Sequence, residues 1–335
     1  MKVAQVVKPG EDFKLTDLPV PEPAENEILI KVEACGICHS DAMVKDGLFP
    51  GIEYPRVPGH EVVGTVEKAG EKAGQWKEGM RVGVGWHGGH CFTCEPCRRG
   101  DFINCENAKV AGISYDGGYA EYMTAPQEAI AKVPADLSSE EAAPLLCAGI
   151  TTFNSLRNTD AKPGDLVAVQ GIGGLGHLAV QYAAKMGFRT VAISTSDDKE
   201  KLAKELGAHH FINAKKQNAV EELQKMGGAK VIVATAPNTD IIGEIAGGLG
   251  LEGNLLVLAA TGETFEVSPF TLIMGRKKVS GWPSGTAKDS EDTLNFSAMT
   301  GTKPMIETYP LEKANEAYNH MIQNKARFRA VLTMK

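Results

Sequence analysis

Residues 165–187 read DLVAVQGIGGLGHLAVQYAAKMG. A short, wholly apolar run of strand length meets a glycine-rich turn, and an amphipathic helix follows. Gly171, Gly173 and Gly176, with Gly174 between the last two, supply the pattern G-x-G-x-x-G between a strand and a helix, the context in which it marks a dinucleotide site. The first glycine makes the turn, the second lets the backbone approach a pyrophosphate, and the third allows close helix–strand packing. The N–H groups freed at the helix start then face the phosphates.

Outward from that stretch the alternation continues. RTVAIS, HHFINA, KVIVATA, GNLLVLAA and RKKVSGW have strand character, and DDKEKLAKELGA and AVEELQKMG fall between them as helices. Uninterrupted apolar strands alternating with helices predict a doubly wound parallel sheet of the Rossmann type. Upstream, residues 138–156 open with Ser138 or Ser139 as N-cap and two glutamates in the first turn. Before about residue 134 the grammar differs: EILIKVEAC, EVVGTVEKAG, RVGVGW and AEYMTAP are short strands broken by Gly and Pro, the signature of a β-barrel-like unit. A helix through LEKANEAYNHMIQ and a strand FRAVLTM close the chain.

The residue that reads the adenosine ribose is expected about 20 positions after the glycines, where an acid favours NAD and excludes a 2′-phosphate. Here that position offers Ser194, Thr195 and Ser196, with Lys199 a turn later. Neutral donors favour NADP(H) over NAD(H). Asp197 and Asp198 argue the other way, although first-turn acids also complement a helix dipole.

A chain of 335 residues suggests two domains, and 43% apolar with 23% charged residues is ordinary globular usage. The net charge of -7 argues against nucleic-acid partners, which require concentrated positive charge. No apolar run has membrane-spanning length, and the N-terminus reads as a strand rather than a signal peptide, so a cytoplasmic protein without membrane attachment is expected.

Seven cysteines, an odd number with four crowded together, argue for metal rather than disulfides. Cys91, Cys94, Cys97 and Cys105 form C-x2-C-x2-C-x7-C, a closed tetrahedral shell for a structural Zn²⁺. An Fe–S cluster is the rival centre, but nothing else points to electron transfer. Three further metal-capable residues stand apart: Cys38 in GICHSD, His60 in PGHE, and Cys147 in PLLCAG. Spacing does not show that they meet. Two thiolates and an imidazole would match a catalytic zinc with an open fourth position.

With ACGICHSD, PGHEVVG, the four-cysteine lobe, PLLCAGIT and GIGGLGH in place, the chain resembles the zinc-dependent medium-chain alcohol dehydrogenases end to end. IST after the second strand and the late SGWPSGT run make it similar to their cinnamyl-alcohol-dehydrogenase-like and aldehyde-reductase branch. The resemblance implies a chaperonin-10-like (GroES-like) catalytic domain over residues 1–147, with the zinc lobe at 88–107. It implies an inserted Rossmann domain at 148–285 and a return to the catalytic domain at 286–335. It also implies two zincs per chain, the catalytic one held by Cys38, His60 and Cys147 with Glu61 as a possible alternate ligand. Asp41 would orient His60, and Ser40 would pass the substrate proton. His39 and Arg329 would lie near the pyrophosphate, Thr151 against the nicotinamide, and Trp86 along the substrate pocket. The implied reaction is reversible hydride transfer between NAD(P)(H) and a primary alcohol or aldehyde, with zinc as Lewis acid on the oxygen. A homodimer or homotetramer is implied too, pairing near residues 279–282.

Many relatives carry a histidine that ends the proton relay where this chain has Met43, so a flatter pH profile for alcohol oxidation is expected. Two other readings remain at this point: an NAD-dependent polyol or secondary-alcohol dehydrogenase, and a non-catalytic nucleotide-binding structural protein.

Overall fold

The computed structural model describes residues 1–334, and the chain divides into two compact units, residues 1–150 with 284–335 and residues 151–283. The division falls after Ile150 and before Ser284.

The first unit is organised on the strand Glu27–Gly36. Its apolar side chains are buried on both faces, so it reads as a near-continuous run rather than a strict alternation. Tyr122–Pro126 pairs antiparallel with its first half and Arg329–Thr333 with its last, while Val62–Ala69 lies along its other edge. Arg81–Val84 and Ile130–Lys132 extend the sheet on one side and Ile306–Pro310 on the other, giving seven strands in all. The core between them gathers Ile28, Ile30, Ile37, Val62, Val82 and Tyr119, all with essentially no exposed surface. Burial of one such aliphatic side chain contributes roughly 1.5–3 kcal/mol. The consequence is local: residues at the end of the central strand, beginning with Cys38, leave a rigid platform.

The second unit is a six-stranded sheet, every adjacent pair parallel. Its order is His210–Asn213, Arg189–Ser194, Leu166–Gln170, Ala229–Ala234, Leu249–Val257, Lys278–Gly281. Counted within the sheet that is 3-2-1-4-5-6, the dinucleotide-binding order whose reversal lies beside the first strand. Leu166–Gln170 is buried at every position, as its apolar run demands. The helix Gly176–Lys185 that follows is buried from Gly176 through Ala183.

Several helices escaped the sequence reading, two of them instructive. Ala287–Thr300 starts at a capping box of Thr286 and Asp289 and ends at Gly301, which takes a left-handed conformation. Its inner face is Ser290, Thr293, Leu294 and Ser297. The spacing is helical, but small hydroxyl side chains carry it, so apolar periodicity is blind to it. Ser297 and Thr293 satisfy their hydroxyls on carbonyls one turn back, at Thr293 and Asp289. Thr239–Ile245, capped by Asn238, is short and interrupted by Gly243. No helix among the described residues is long and apolar enough to cross a membrane.

Candidate metal centres and nucleotide site

Three separate segments of the first unit converge on one point. Cys38 follows the central strand, where the Gly36 N–H donates to the Glu61 carbonyl at 3.0 Å and the Ile37 N–H to Ala330 at 2.9 Å. His60 and Glu61 stand immediately before Val62–Ala69. Cys147 sits in a π-helical turn, Leu145–Gly149, between the helices Ser139–Pro144 and Ile150–Arg157. Such a turn carries an extra residue, and it commonly marks a site where a side chain is re-aimed. Ligand atoms of Cys38, His60, Glu61 and Cys147 all lie within 4.8 Å of one another, with the Cys38 and Cys147 sulfurs 3.7 Å apart.

The cluster fits a divalent cation. His60 Nε2 and Glu61 Oε2 are buried with no hydrogen-bond partner, an expensive state for polar atoms unless something else meets them. Two sulfurs, one imidazole nitrogen and one carboxylate oxygen are the donor types zinc takes. Electrostatics agree. The proton offered by Cys147 holds Cys38 well below the ordinary thiol range, against burial and with help from His60 and Arg329. Donating that bond and being buried push Cys147 up. Burial opposes a charge on His60, but Asp41 and the Cys38 sulfur outweigh it and hold the imidazole well above its usual value. Burial also lifts Glu61 to about 7, with Arg329 pulling the other way.

Around these four stand the other expected residues. Asp41 is 1% exposed. Its Oδ1 lies 3.4 Å from His60 Nδ1, and its Oδ2 accepts the Cys38 N–H at 2.8 Å and the Tyr119 hydroxyl at 2.9 Å. Trp86 stands edge-on to the His60 ring, centroids 5.0 Å apart. Ser40 is half-buried at the start of the helix Asp41–Lys45, His39 is exposed, and Met43 is half-buried. Arg329 is only 7% exposed, and its guanidinium is paired with Glu61. The sequence reading placed Arg329 toward a pyrophosphate and did not anticipate that buried pair. Nor did it find Tyr119. Its motif GGYAE carries no metal signal, and its partner Asp41 is 78 residues away.

The four sulfurs of Cys91, Cys94, Cys97 and Cys105 also fall within 4.8 Å of one another. Backbone N–H groups of Cys91 and Asn107 reach the Cys105 sulfur at 3.3 Å, and that of Cys94 reaches Cys91 at 3.4 Å. Hydrogen bonds from Thr93 first, and from the Cys94 backbone and Asn107, lower Cys91 to about 5, whereas the buried Cys97 is pushed up to about 12. A shared cation would remove that spread by deprotonating all four. No imidazole or carboxylate belongs to this set, so it offers a closed shell.

In the second unit, Gly171 has φ 89°, and a Cβ there would stand 2.7 Å from that of Ala236. A Cβ on Gly176 would overlap the Gly171 carbonyl, whereas one on Gly173 would meet nothing within 4 Å. The turn is therefore closed on its protein side and open at Gly173, as a phosphate cradle requires. Gly174 and Thr151 are half-buried. Past Arg189–Ser194, Thr195 and Ser196 are exposed, and Lys199 Nζ donates to the Ile172 carbonyl within the glycine turn at 2.9 Å. The neighbouring acids are engaged. Asp197 accepts from Asn213 at 2.5 Å and pairs with Lys216, and Asp198 accepts from Ser196.

Comparison with known proteins agrees with this architecture. The profile of the alcohol dehydrogenase GroES-like domain matches residues 24–135, and that of the zinc-binding dehydrogenases matches 174–299. The alcohol dehydrogenase patD of Penicillium expansum is 46% identical over 333 residues, 99% of this chain and 97% of that protein. An alcohol dehydrogenase of Geobacillus stearothermophilus is 38% identical over 337 residues, 100% of this chain and 99% of its own. Among solved structures, a cinnamyl alcohol dehydrogenase of Sorghum bicolor superimposes with TM-score 0.89 at 28% identity, over 99% of this chain and 97% of that one.

Proposed function

The chain belongs to the zinc-dependent medium-chain alcohol dehydrogenases, and from that membership we propose an NADP(H)-preferring enzyme acting on primary alcohols and aldehydes through a zinc held by Cys38, His60 and Cys147. The observation that carries the zinc assignment is the convergence of four donor groups within 4.8 Å around two buried, unpartnered atoms, His60 Nε2 and Glu61 Oε2. A zinc held there would supply Lewis acidity toward the substrate oxygen, and a bound nicotinamide nucleotide would supply the hydride chemistry.

The chain's own residues do the rest. Asp41 turns the His60 ring so that Nε2 faces the thiols. Glu61, poised by burial against Arg329, is the alternate ligand. Ser40 would accept the substrate proton while passing its own hydroxyl proton on, and since Met43 has nothing that titrates, that proton would reach solvent through exposed His39 or directly. Trp86 lines the substrate side of His60. The second zinc, held by Cys91, Cys94, Cys97 and Cys105, is structural.

On the nucleotide side, Gly171, Gly173, Gly174 and Gly176 receive the pyrophosphate, and Thr151 bears on the nicotinamide. Ser194, Thr195, Ser196 and Lys199 receive the ribose end. The NADP(H) preference is supported by the neutral hydroxyls of Ser194, Thr195 and Ser196 at the end of the second strand, and by Lys216 on Asp197, which offsets one of the two neighbouring negative charges. Seven cysteines without a disulfide favour a reducing compartment, the cytoplasm. A homodimer or homotetramer is supported by apolar side chains left exposed in the second unit: Leu251, Phe270, Ile273 and Met274.

Metal analysis alongside an alcohol and aldehyde screen with both nucleotides tests the proposal. Two zincs per chain, activity lost on chelation, and a higher kcat/KM with NADPH than with NADH are expected. One zinc without turnover would refute the catalytic site, and a preference for NADH would refute the cofactor assignment alone.

A further inference from the structure

Tyr119 is fully buried and touches both halves of what fixes His60. Its hydroxyl donates to Asp41 Oδ2 at 2.9 Å, beside the Cys38 N–H at 2.8 Å. With two donors on Oδ2, the carboxylate plane is set, and Oδ1 is the oxygen left facing His60 Nδ1, 3.4 Å away. The other half is backbone. The Tyr119 N–H donates to the Pro58 carbonyl and the Gly118 N–H to Gly59, both at 3.0 Å. Gly59 immediately precedes His60 and has φ 106°, and a Cβ there would stand 2.6 Å from the Tyr119 ring. Phe13 packs edge-on against that ring, centroids 5.6 Å apart.

From this two-point grip we infer that Tyr119 is a positioning residue for the catalytic metal: its hydroxyl clamps Asp41, and its ring and backbone clamp the turn that carries His60. The inference rests on the zinc reading of the Cys38, His60 and Cys147 cluster. A group that orients a ligand through an outer-shell carboxylate acts on metal retention, and loss of such partners costs about 10–100-fold in affinity or activity. A purely structural tyrosine has no such selective effect.

The test is release of zinc from the holoenzyme to a colorimetric chelator. Two phases are expected, and a Cys147→Ala protein, retaining only the lobe zinc, identifies which is which. Tyr119→Phe keeps the ring and removes the hydroxyl. It should speed release of the catalytic zinc about 10–100-fold while leaving the lobe zinc at its wild-type rate. In an Asp41→Asn background the same change should add little, because the carboxylate it acts through is gone. Wild-type release from Tyr119→Phe, equal acceleration of both zincs, failure of that variant to fold, or independent effects in the double variant would each overturn the inference. A wild-type protein with only one zinc would instead remove the reading beneath it.

Discussion

At Glu61 a carboxylate with no exposed surface balances the guanidinium of Arg329, itself 7% exposed. Breaking such a pair strands a buried charge, which typically costs 3–5 kcal/mol. The sulfurs of Cys38 and Cys147 also act on Arg329 and offset part of that loss. Glu61→Ala should therefore destabilise the first unit by about 3 kcal/mol, read as a lower urea midpoint at constant zinc loading. An unchanged midpoint would show the pair to be dispensable. His87 gives a second, pH-dependent expectation. Burial, helped by His90 and resisted by Asp289, lowers its pKa to about 4, and its Nδ1 is buried without a hydrogen-bond partner. The folded pKa lies below the unfolded value of about 6.5, so between those values the unfolded chain binds more protons. Stability is thus full above pH ~6.5, is lost as the pH falls toward ~4, and levels off below, by at most ~3 kcal/mol. His87→Leu should flatten that acid limb in urea melts run across the window. Parallel wild-type and variant curves would assign the limb to other groups.

At the scale of elements, the informative one is the π-helical turn Leu145–Gly149. It lies between two ordinary helices and changes the phase at which Cys147 emerges. Removing one residue rotates a helical side chain by about 100°. Deletion of Ala148 should turn Cys147 away from Cys38, halve the zinc content and abolish turnover, with the lobe zinc and the far-ultraviolet spectrum retained. A deletion protein that still holds two zincs would show that the turn is incidental. The helix Ala287–Thr300 makes the complementary point, since its packing face of Ser290, Thr293 and Ser297 carries helical spacing in hydroxyls that hydropathy does not register.

For the molecule as a whole, the second unit leaves Leu251, Phe270 and Ile273 at least 70% exposed. They belong to one neighbourhood, because the Glu252 N–H donates to the Gly275 carbonyl at 2.7 Å, and a Cβ on Gly275 would stand 3.2 Å from the Leu251 side chain. Isolated exposed apolar residues are ordinary, but a cluster of large ones marks an association surface. Ile273→Lys combined with Leu251→Glu should shift the protein to a smaller species in light scattering. No change in mass would show that this cluster holds no subunit contact. The sequence alone determined what is written locally. The parallel sheet follows from apolar runs alternating with helices, the glycine turn from spacing between a strand and a helix, and the four-cysteine lobe from ligands packed within one short segment. The tertiary structure decided what depends on distant residues meeting. It brought Cys38, His60 and Cys147 together, gave Arg329 the partner Glu61 across 268 positions, and set Tyr119 on Asp41. Periodicity and spacing report only neighbours along the chain. Contacts closed by the pairing of Glu27–Gly36 with Val62–Ala69 and Arg329–Thr333 exist only once the sheet has formed.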